Sequence, residues 1–247
     1  MASHGPLGAL FHDSGEAAAP ADEIAWYEAR LPRDAGPVLA PMCGSGRLLV
    51  PLTAAGLNVH GVDASASMLA HCEARLAGRS DGARLFRQDV AELNLPFRYA
   101  AAFIAAGAFQ RIVDPARARA ALVRLRSHLV GPQLLLLDLF VPGEGEQRIA
   151  APLVEVRSVA LADGTRIAQR SETTMSADAH LAHTASRYVH RRGNDLLAEE
   201  SETTALTWYA PDDITALVEA AGYRSVEIAA SPRRVVDGMA FSLRAAA

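Results

Sequence analysis

This sequence lacks the features that mark secreted, membrane-spanning and nucleic-acid-binding proteins. Only two of its 247 residues are cysteine, too few for a disulfide framework or a zinc site. The longest apolar run, residues 134–141, is interrupted by Asp138, so no segment approaches the roughly 20 apolar residues of a transmembrane helix. A net charge of -4 argues against a broad basic surface that would bind nucleic acid without sequence preference.

Residues 1–20 are rich in alanine, glycine and proline, which favours a loose arm. They contain no basic segment followed by an apolar core, so we expect no signal peptide and a soluble, cytoplasmic protein. Hydrophobic residues make up 50% of the chain, enough for one domain with a large core. We therefore expect a single domain over residues 1–247.

Short apolar runs alternate with helical patterns through most of the chain. The predicted strands are residues 37–41, 58–63, 83–89, 100–106, 132–142, 225–230 and 238–246. The predicted helices are residues 21–31, 45–55, 65–76, 115–129 and 210–223. Strands and helices that alternate at this spacing form right-handed βαβ units. The sequence thus predicts an α/β fold with a doubly wound, mostly parallel sheet of seven strands.

Residues 143–209 interrupt this alternation. From about residue 152 onward the pattern has period two, with turn signals at residues 162–165 and 191–195. We expect three or four antiparallel strands, inserted after the fifth strand of the main sheet. Ligands of doubly wound sheets bind at the carboxyl ends of the strands, so we interpret the insertion as a lid over a substrate pocket.

The stretch "VLAPMCGSG", residues 38–46, predicts a strand that ends in a glycine turn before a helix. Such a turn presents backbone N–H groups to polar or anionic ligand atoms, although a purely structural tight turn is the alternative. Leu49 stands where the dinucleotide fingerprint needs a third glycine. Arg47 and Leu48 follow Gly46 where a phosphate-binding loop needs Lys and then Ser or Thr.

Two carboxylates end the next two predicted strands. Asp63 is placed to accept both hydroxyl groups of a ribose, or else to cap the helix that starts near Ser65. Asp89 can accept the exocyclic amine of an adenine while Val90 offers its N–H group, or else it is an ordinary turn aspartate. Together with the glycine turn, they point to an adenosine across the ends of strands one to three.

At this point the sequence resembles the class I S-adenosylmethionine (SAM)-dependent methyltransferases, over residues 21–142 and 210–246. "GVDASASML" (61–69) is nearly unaltered from the family's second motif, and "QDV" (88–90) matches the acidic end of its third strand. The first motif is similar to a bacterial "PMCGSGR" form. The resemblance implies a Rossmann-like fold, SAM as cofactor and S-adenosylhomocysteine as product. It also implies methylation of an N, O or S atom of a small molecule.

The same resemblance implies roles for individual residues. The backbone of the turn would face the methionine part of SAM, and Asp63 would hold its ribose. Residues 64, 68, 89 and 90 would contact the adenine, and residues 106 and 107 would border the sulfonium. Tyr27 would close over the cofactor. The implied cofactor-binding residues are Tyr27, Met42, Cys43, Gly44, Gly46, Asp63, Ala64, Met68, Asp89, Val90, Ala106 and Gly107. For Tyr27, a place in the core of an amphipathic helix is the alternative.

The first motif departs from the family at two positions. Ala40 stands in place of its acidic residue, so the water-mediated contact of that acid with SAM is in doubt. Met42 stands in place of its first glycine, and we expect it to keep a negative φ. These departures leave open a catalytically silent SAM-binding or interaction protein. A nucleotide-dependent oxidoreductase is a third interpretation, which Leu49 opposes.

No catalytic triad is visible, and methyl transfer does not require one. The candidates for the substrate pocket are Phe109, Gln110, Arg187, Tyr188 and Trp208. His190 is a weak candidate for a general base, with an ordinary polar role as the alternative. His180 and His183 would face opposite sides of a strand and no third ligand is in sight, so we expect no metal. The expected partners are a small-molecule acceptor, without nucleic acid or membrane, and the protein is a monomer or homodimer.

Overall fold

A seven-stranded, mostly parallel sheet forms the body of the protein in a computed structural model that describes residues 4–15, 18–78, 83–147, 151–231 and 238–246. The strands are β1 Val38–Pro41, β2 Val59–Asp63, β3 Leu85–Arg87, β4 Tyr99–Ile104, β5 Leu129–Val141, β6 Leu153–Ala160, β7 Arg166–Ser176, β8 Leu181–Arg192, β9 Asp195–Thr207, β10 Ser225–Ala230 and β11 Met239–Ala246. The order in the main sheet is β10-β11-β5-β4-β1-β2-β3. Strands β1 to β5 pair in parallel, and β11 lies antiparallel between β5 and β10. The predicted fold class is confirmed.

Helices cover both faces of this sheet. They are α1 Pro6–Gly15, α2 Ala21–Glu28, α3 Leu49–Ala54, α4 Ala66–Leu76, α5 Pro115–His128, α6 Glu144–Gln147 and α7 Pro211–Ala220, with 3-10 turns at Val90–Glu92 and Ala108–Arg111. Their starts follow from local capping: the Ser65 hydroxyl accepts from the Met68 N–H, and Asp114 accepts from that of Arg117. Helix α3 begins later than predicted because residues 44–48 form tight turns around the glycines.

The core lies in two layers, one on each face of the sheet. Leu39 of β1 points into the layer under α5 and α7, whereas its neighbours Val38 and Ala40 point into the layer under α2 and α3. All six residues of β4 are buried, as expected for a parallel strand that is covered on both faces.

A second, antiparallel sheet of order β6-β7-β8-β9 follows β5, as predicted. Its three hairpins turn at residues 161–165, 177–180 and 193–194. On its inner face Ile167 and Tyr188 are fully buried against Phe11 of α1. Helix α1 therefore packs on the inner face of this sheet.

Helix α1 corrects one expectation, because it lies in the segment that was predicted to be a loose arm. The Glu200 carboxylate on β9 accepts from the N–H groups of Leu7 and Gly8, at 2.9 and 3.0 Å, and so caps the start of the helix. Asp13 near its other end pairs with Arg75 of α4, 3.3 Å away. Helix α1 thus bridges the inserted sheet and the main sheet. Its partners lie far away in the chain, where composition gives no signal.

Candidate active site

Two adjoining cavities open at the carboxyl ends of β1, β2 and β4, where a doubly wound sheet binds its ligands. Their volumes are about 130 and 220 Å³. The residues that line both are His4, Met42, Gly44, Met68, Ala108 and Arg111. The smaller cavity continues past Asp63 toward β3, and the larger continues past residues 40–49 and the end of β4.

The glycine turn forms the wall between these cavities. Gly44 has a φ of +57°, and the nearest atom to a Cβ at this position would be the Met68 Sδ, at 4.0 Å. A side chain on residue 44 would therefore enter the cavity rather than the protein interior. Gly46 has a different role: it lines neither cavity, and a Cβ there would lie 2.6 Å from the Cys72 Sγ. Close packing of α4 requires that glycine.

Met42 contradicts the expected negative φ, because its φ is +56°. The left-handed region costs a residue with a Cβ about 1–2 kcal/mol. Met42 therefore adopts the backbone conformation of the glycine that it replaces. Its side chain packs against the core and lines both cavities.

Asp63 ties the end of β2 to the glycine turn. Its Oδ2 accepts from the Gly44 N–H at 2.9 Å, and its Oδ1 accepts from the Ser65 N–H at 2.8 Å. The cap of α4 is Ser65 rather than Asp63. Each carboxylate oxygen has one further lone pair, so Asp63 can still accept two hydroxyl groups in the smaller cavity that it lines.

On the far side of Asp63 the smaller cavity is lined by Ala64, Met68 and Val90, three of the residues predicted to bind the cofactor. Asp89 does not line it. Its Oδ1 accepts from the Ala91 N–H at 2.9 Å, and its Oδ2 accepts from Arg117 at 2.8 Å. Asp89 in turn raises the pKa of the Arg117 guanidinium. Gln88, which sequence analysis did not select, lies at this edge of the cavity.

The end of β4 forms the border of the larger cavity. Ala106 lines it and has a φ of +56°, and Gly107 follows with a φ of +68°. The buried Asp138 of β5 accepts from the Ala106 N–H at 3.2 Å and also from the Ser231 hydroxyl. A carboxylate inside an apolar strand was visible in the sequence, but its partners were not.

Phe109 and Gln110, expected in the substrate pocket, are fully buried outside both cavities. The Gln110 amide donates to the carbonyls of Phe140 and Thr207, at 2.8 and 3.0 Å, and accepts from the Phe140 N–H at 2.9 Å. Gln110 thus joins β5 of the main sheet to the end of β9. Tyr27 is also in the core, where its ring centroid lies 5.1 Å from that of Phe103.

Three candidates from the insertion lie outside the residues that line the cavities. Arg187 is exposed and pairs with Glu199 at 2.8 Å. His190 shares a hydrogen bond of 2.7 Å with the Thr165 hydroxyl, at the hairpin between β6 and β7. Trp208 is buried and stacks on His180, with 5.6 Å between the ring centroids.

The described imidazoles that line the cavities belong to His4 and His12, in the segment that was expected to be loose. His4 Nδ1 lies 3.0 Å from Glu202, and its Nε2 lies 3.0 Å from the Arg111 guanidinium. The Tyr188 hydroxyl donates to Glu202 at 2.7 Å and lies 3.4 Å from His12 Nε2. Tyr188, which was expected in the substrate pocket, lines neither cavity itself but contacts His12, which lines the larger one. We call these five residues the α1 cluster.

The α1 cluster sets the charges at the cavity. The pKa of His12 is lowered to about 4, mainly by burial and in addition by the positive charges of Arg111 and Arg157, while Glu202 opposes this shift. Burial opposes ionisation of Glu202, but the combined interactions with its neighbours, His4 and Tyr188 among them, outweigh that effect and lower its pKa. Burial and Glu202 raise the pKa of the Tyr188 hydroxyl well above its usual range. At neutral pH the cluster thus holds an ionised Glu202, a neutral His12 and a protonated Tyr188.

Comparison with known proteins gives one family match. Residues 38–130 match the family model of the methyltransferase domain. This range contains the glycine turn, Asp63 and the end of β4. No curated protein matches the chain. No helix within the described residues combines the length and apolar character that crossing a bilayer requires.

Solved structures resemble nearly the whole chain. A SAM-dependent methyltransferase from Clostridium acetobutylicum is 15% identical, with a TM-score of 0.75 and 95% of each chain covered. CalS10, an amino pentose methyltransferase from Micromonospora echinaspora, is 23% identical, with a TM-score of 0.68, and 92% of this chain and 91% of that chain are covered. The sugar N-methyltransferase KedS8 from Streptoalloteichus is 19% identical, with a TM-score of 0.72, and the coverage is 92% and 87%. At these identities the likeness establishes the fold.

Proposed function

We propose that the chain transfers a methyl group from SAM to a small molecule. Its fold is that of the class I methyltransferases, and its residues 38–130 match the family model of the methyltransferase domain. The observation that carries the proposal is the pair of Gly44 and Asp63. Gly44 leaves open space beside its Cα at the cavity wall, and Asp63 is fixed by two backbone N–H groups with lone pairs to spare.

The residues that line the cavities fit such a ligand. The smaller cavity has an acidic group for the ribose and apolar side chains, from Ala64, Met68 and Val90, for the adenine. The larger cavity, beside Cys43 and Ala106, would take the methionine part and the acceptor. When bound, SAM supplies a methyl group that the positive charge on its sulfur activates. The protein then has to orient the acceptor, exclude water and accept a proton.

For the acceptor we propose an amine, hydroxyl or thiol of a small molecule rather than a nucleic acid. The chain carries 24 Lys and Arg against 28 Asp and Glu, which does not favour a polyanionic substrate. The solved structures of this fold include an amino pentose methyltransferase, a sugar N-methyltransferase and a glycopeptide N-methyltransferase, which makes amines the first group to examine.

The experiment is a calorimetric titration with SAM, S-adenosylhomocysteine and NAD. We expect the first two ligands to bind and NAD not to bind. Asp63→Asn should weaken SAM binding about 10- to 100-fold, because hydrogen bonds to a charged group contribute about 1.5–3 kcal/mol. Asp195→Asn, at the exposed start of β9, is the matched control and should bind like the wild type. Circular dichroism must show that both variants are folded.

The second step is a screen of acceptors by mass spectrometry, with amino sugars, other amines, phenols and thiols. An increase in mass by one methyl group in any class supports the proposal and identifies the accepting atom. Absence of SAM binding, or unchanged binding in Asp63→Asn, would overturn the cofactor site. SAM binding without transfer to any acceptor would favour the silent binding protein.

A further inference from the structure

His4 and His12 both line the larger cavity, but only one of them has a free nitrogen lone pair. Arg111 can only donate hydrogen bonds, so the His4 Nε2 that lies 3.0 Å from it must be the acceptor. A neutral His4 then carries its proton on Nδ1, where it donates to Glu202 at 3.0 Å. Both nitrogens of His4 are occupied.

The tautomer of His12 follows from the same kind of argument. The Tyr188 hydroxyl donates its proton to the ionised Glu202, so its oxygen is an acceptor for other groups. The Gln169 amide donates to that oxygen at 3.1 Å, and His12 Nε2 approaches it to 3.4 Å. A hydrogen bond there requires the proton on Nε2. The lone pair of His12 is then on Nδ1, which has no hydrogen-bond partner among the described residues.

The His4, His12 and Glu202 side chains also offer ligand atoms that lie within 4.8 Å of one another, the spacing of a possible metal site. Two features oppose a cation there. His4 Nδ1 carries a proton as long as Nε2 accepts from Arg111, and a protonated nitrogen is not a ligand. The Arg111 guanidinium also places a positive charge beside these three possible ligands. The geometry favours a site for proton transfer over a metal site.

We propose that His12 Nδ1 is the group that accepts the proton from the methyl acceptor, and that Tyr188 and Glu202 are its positioning residues. This inference rests on the proposed methyltransferase function. As the accepting N, O or S atom bonds to the methyl carbon, the bond from that carbon to sulfur would break and leave its electron pair on S-adenosylhomocysteine. The proton of the accepting atom passes to His12 Nδ1. The imidazolium that forms still donates its Nε2 proton in a hydrogen bond to the Tyr188 oxygen. Tyr188 in turn donates to the Glu202 carboxylate. Solvent later removes the proton from Nδ1.

The charges around His12 suit this role. The groups that face it are His4, Glu202, Arg111, Arg157 and Tyr188. Burial and the positive neighbours favour the neutral imidazole, so the lone pair is available at neutral pH. An acceptor atom becomes a much stronger acid as it gains a methyl group. For an oxygen or sulfur acceptor, whose methylated form is a strong acid, a weak base can therefore take the proton late in the reaction.

The first test needs no acceptor. Nitrogen-15 NMR of labelled histidine at neutral pH distinguishes protonated from unprotonated ring nitrogens, with His4→Gln and His12→Gln variants for assignment. We expect His12 to be neutral with its proton on Nε2, and His4 to be neutral with its proton on Nδ1. Tyr188→Phe should change the His12 spectrum, because it removes the Nε2 partner. A His12 that is doubly protonated, or protonated on Nδ1, would overturn the inference whatever the activity.

The second test uses an acceptor found in the screen above. His12→Ala should keep the wild-type affinity for SAM and lose about 100-fold or more in kcat, the usual contribution of a general base. Added imidazoles should restore part of kcat, and more so the higher their pKa. His183→Ala, on the exposed side of β8, is the matched control and should retain full activity.

The outcomes separate the two proposals. Transfer by the wild type that is unchanged in His12→Ala, or not restored by any imidazole, would overturn the role of His12 and leave the methyltransferase function intact. SAM binding without transfer to any acceptor by the wild type would overturn the function, and the role of His12 with it.

Discussion

The wall and the cover of the cavity are built in opposite ways. The wall is backbone: a glycine turn and the ends of central strands, joined by contacts such as Gly44 to Asp63, 19 residues apart. The cover consists of side chains, those of the α1 cluster and the helix α1 beside it. They are joined by contacts such as that of His4 with Glu202, 198 residues apart in the sequence. The wall belongs to the buried centre of the main sheet, whereas the cover depends on one short helix at the edge of another sheet.

This difference has consequences for stability. The wall shares its hydrogen bonds and packing with β1, β2 and β4, so damage to it should weaken the whole fold. The cover is held by Phe11 in a small apolar cluster, by Glu200 and by Asp13. Units with few buried contacts open locally, at a lower free energy than global unfolding. We therefore expect helix α1 to open at a lower free energy than the wall.

The largest effect is expected for Gly46→Ala in the wall. A Cβ on this residue would lie 2.6 Å from the buried Cys72 Sγ and 2.9 Å from a Val50 methyl group, at a φ of +83°. Overpacking and backbone strain together should lower the free energy of global unfolding by about 2–4 kcal/mol. Urea denaturation followed by circular dichroism measures it.

Gly78→Ala is the matched control for that prediction. Gly78 also has a positive φ, +73°, but a Cβ there would meet nothing within 4 Å. Gly78→Ala should lower the free energy of unfolding only by the backbone strain, about 1 kcal/mol. Equal effects of the two substitutions would mean that the wall is not as tightly packed as the distances indicate.

A smaller and local effect is expected for Glu200→Ala in the cover. The substitution removes the acceptor of the Leu7 and Gly8 N–H groups. Loss of this cap should lower the opening free energy of α1 by about 1–2 kcal/mol. Amide hydrogen exchange should become faster in residues 7–11 and stay unchanged in β2.

The neighbouring Glu199→Ala is its control, because Glu199 pairs with Arg187 on the exposed face of β9. Surface pairs of this kind contribute about 0–1 kcal/mol, and exchange in α1 should not change. If Glu200→Ala weakened β2 as much as α1, the wall and the cover would be one cooperative unit, and the comparison would fail.

The sequence revealed the wall because its signals are local. Apolar runs covered on both faces, a glycine turn and Asp63 all lie within about 30 residues, and each has few structural alternatives. The parallel pairing of the strands in the main sheet followed from the alternation of strands and helices. Even there, Asp89 lies outside the cavity, because Arg117 on α5 binds the carboxylate.

The cover was hidden because its contacts join the two ends of the chain. Alanine, glycine and proline near the N-terminus favoured a loose arm. The segment is an ordered helix because of distant partners such as the carboxylates of Glu200 and Glu202. The same reason explains Gln110. Its amide looked available for a substrate, but it is used by Phe140 and Thr207, which no local pattern connects to it.

The smallest effect is expected at Met42. Here the informative result is which of two variants is more stable, not how large the difference is. Met42→Ala and Met42→Gly both lose the side chain, so they differ only in their backbone preferences. At the observed φ of +56°, glycine should be the more stable of the two by about 1 kcal/mol. At the negative φ that the sequence suggested, alanine should be more stable by a similar amount, because glycine gives the unfolded chain more freedom. Urea denaturation of the two variants decides whether a side chain can occupy the left-handed position of this turn.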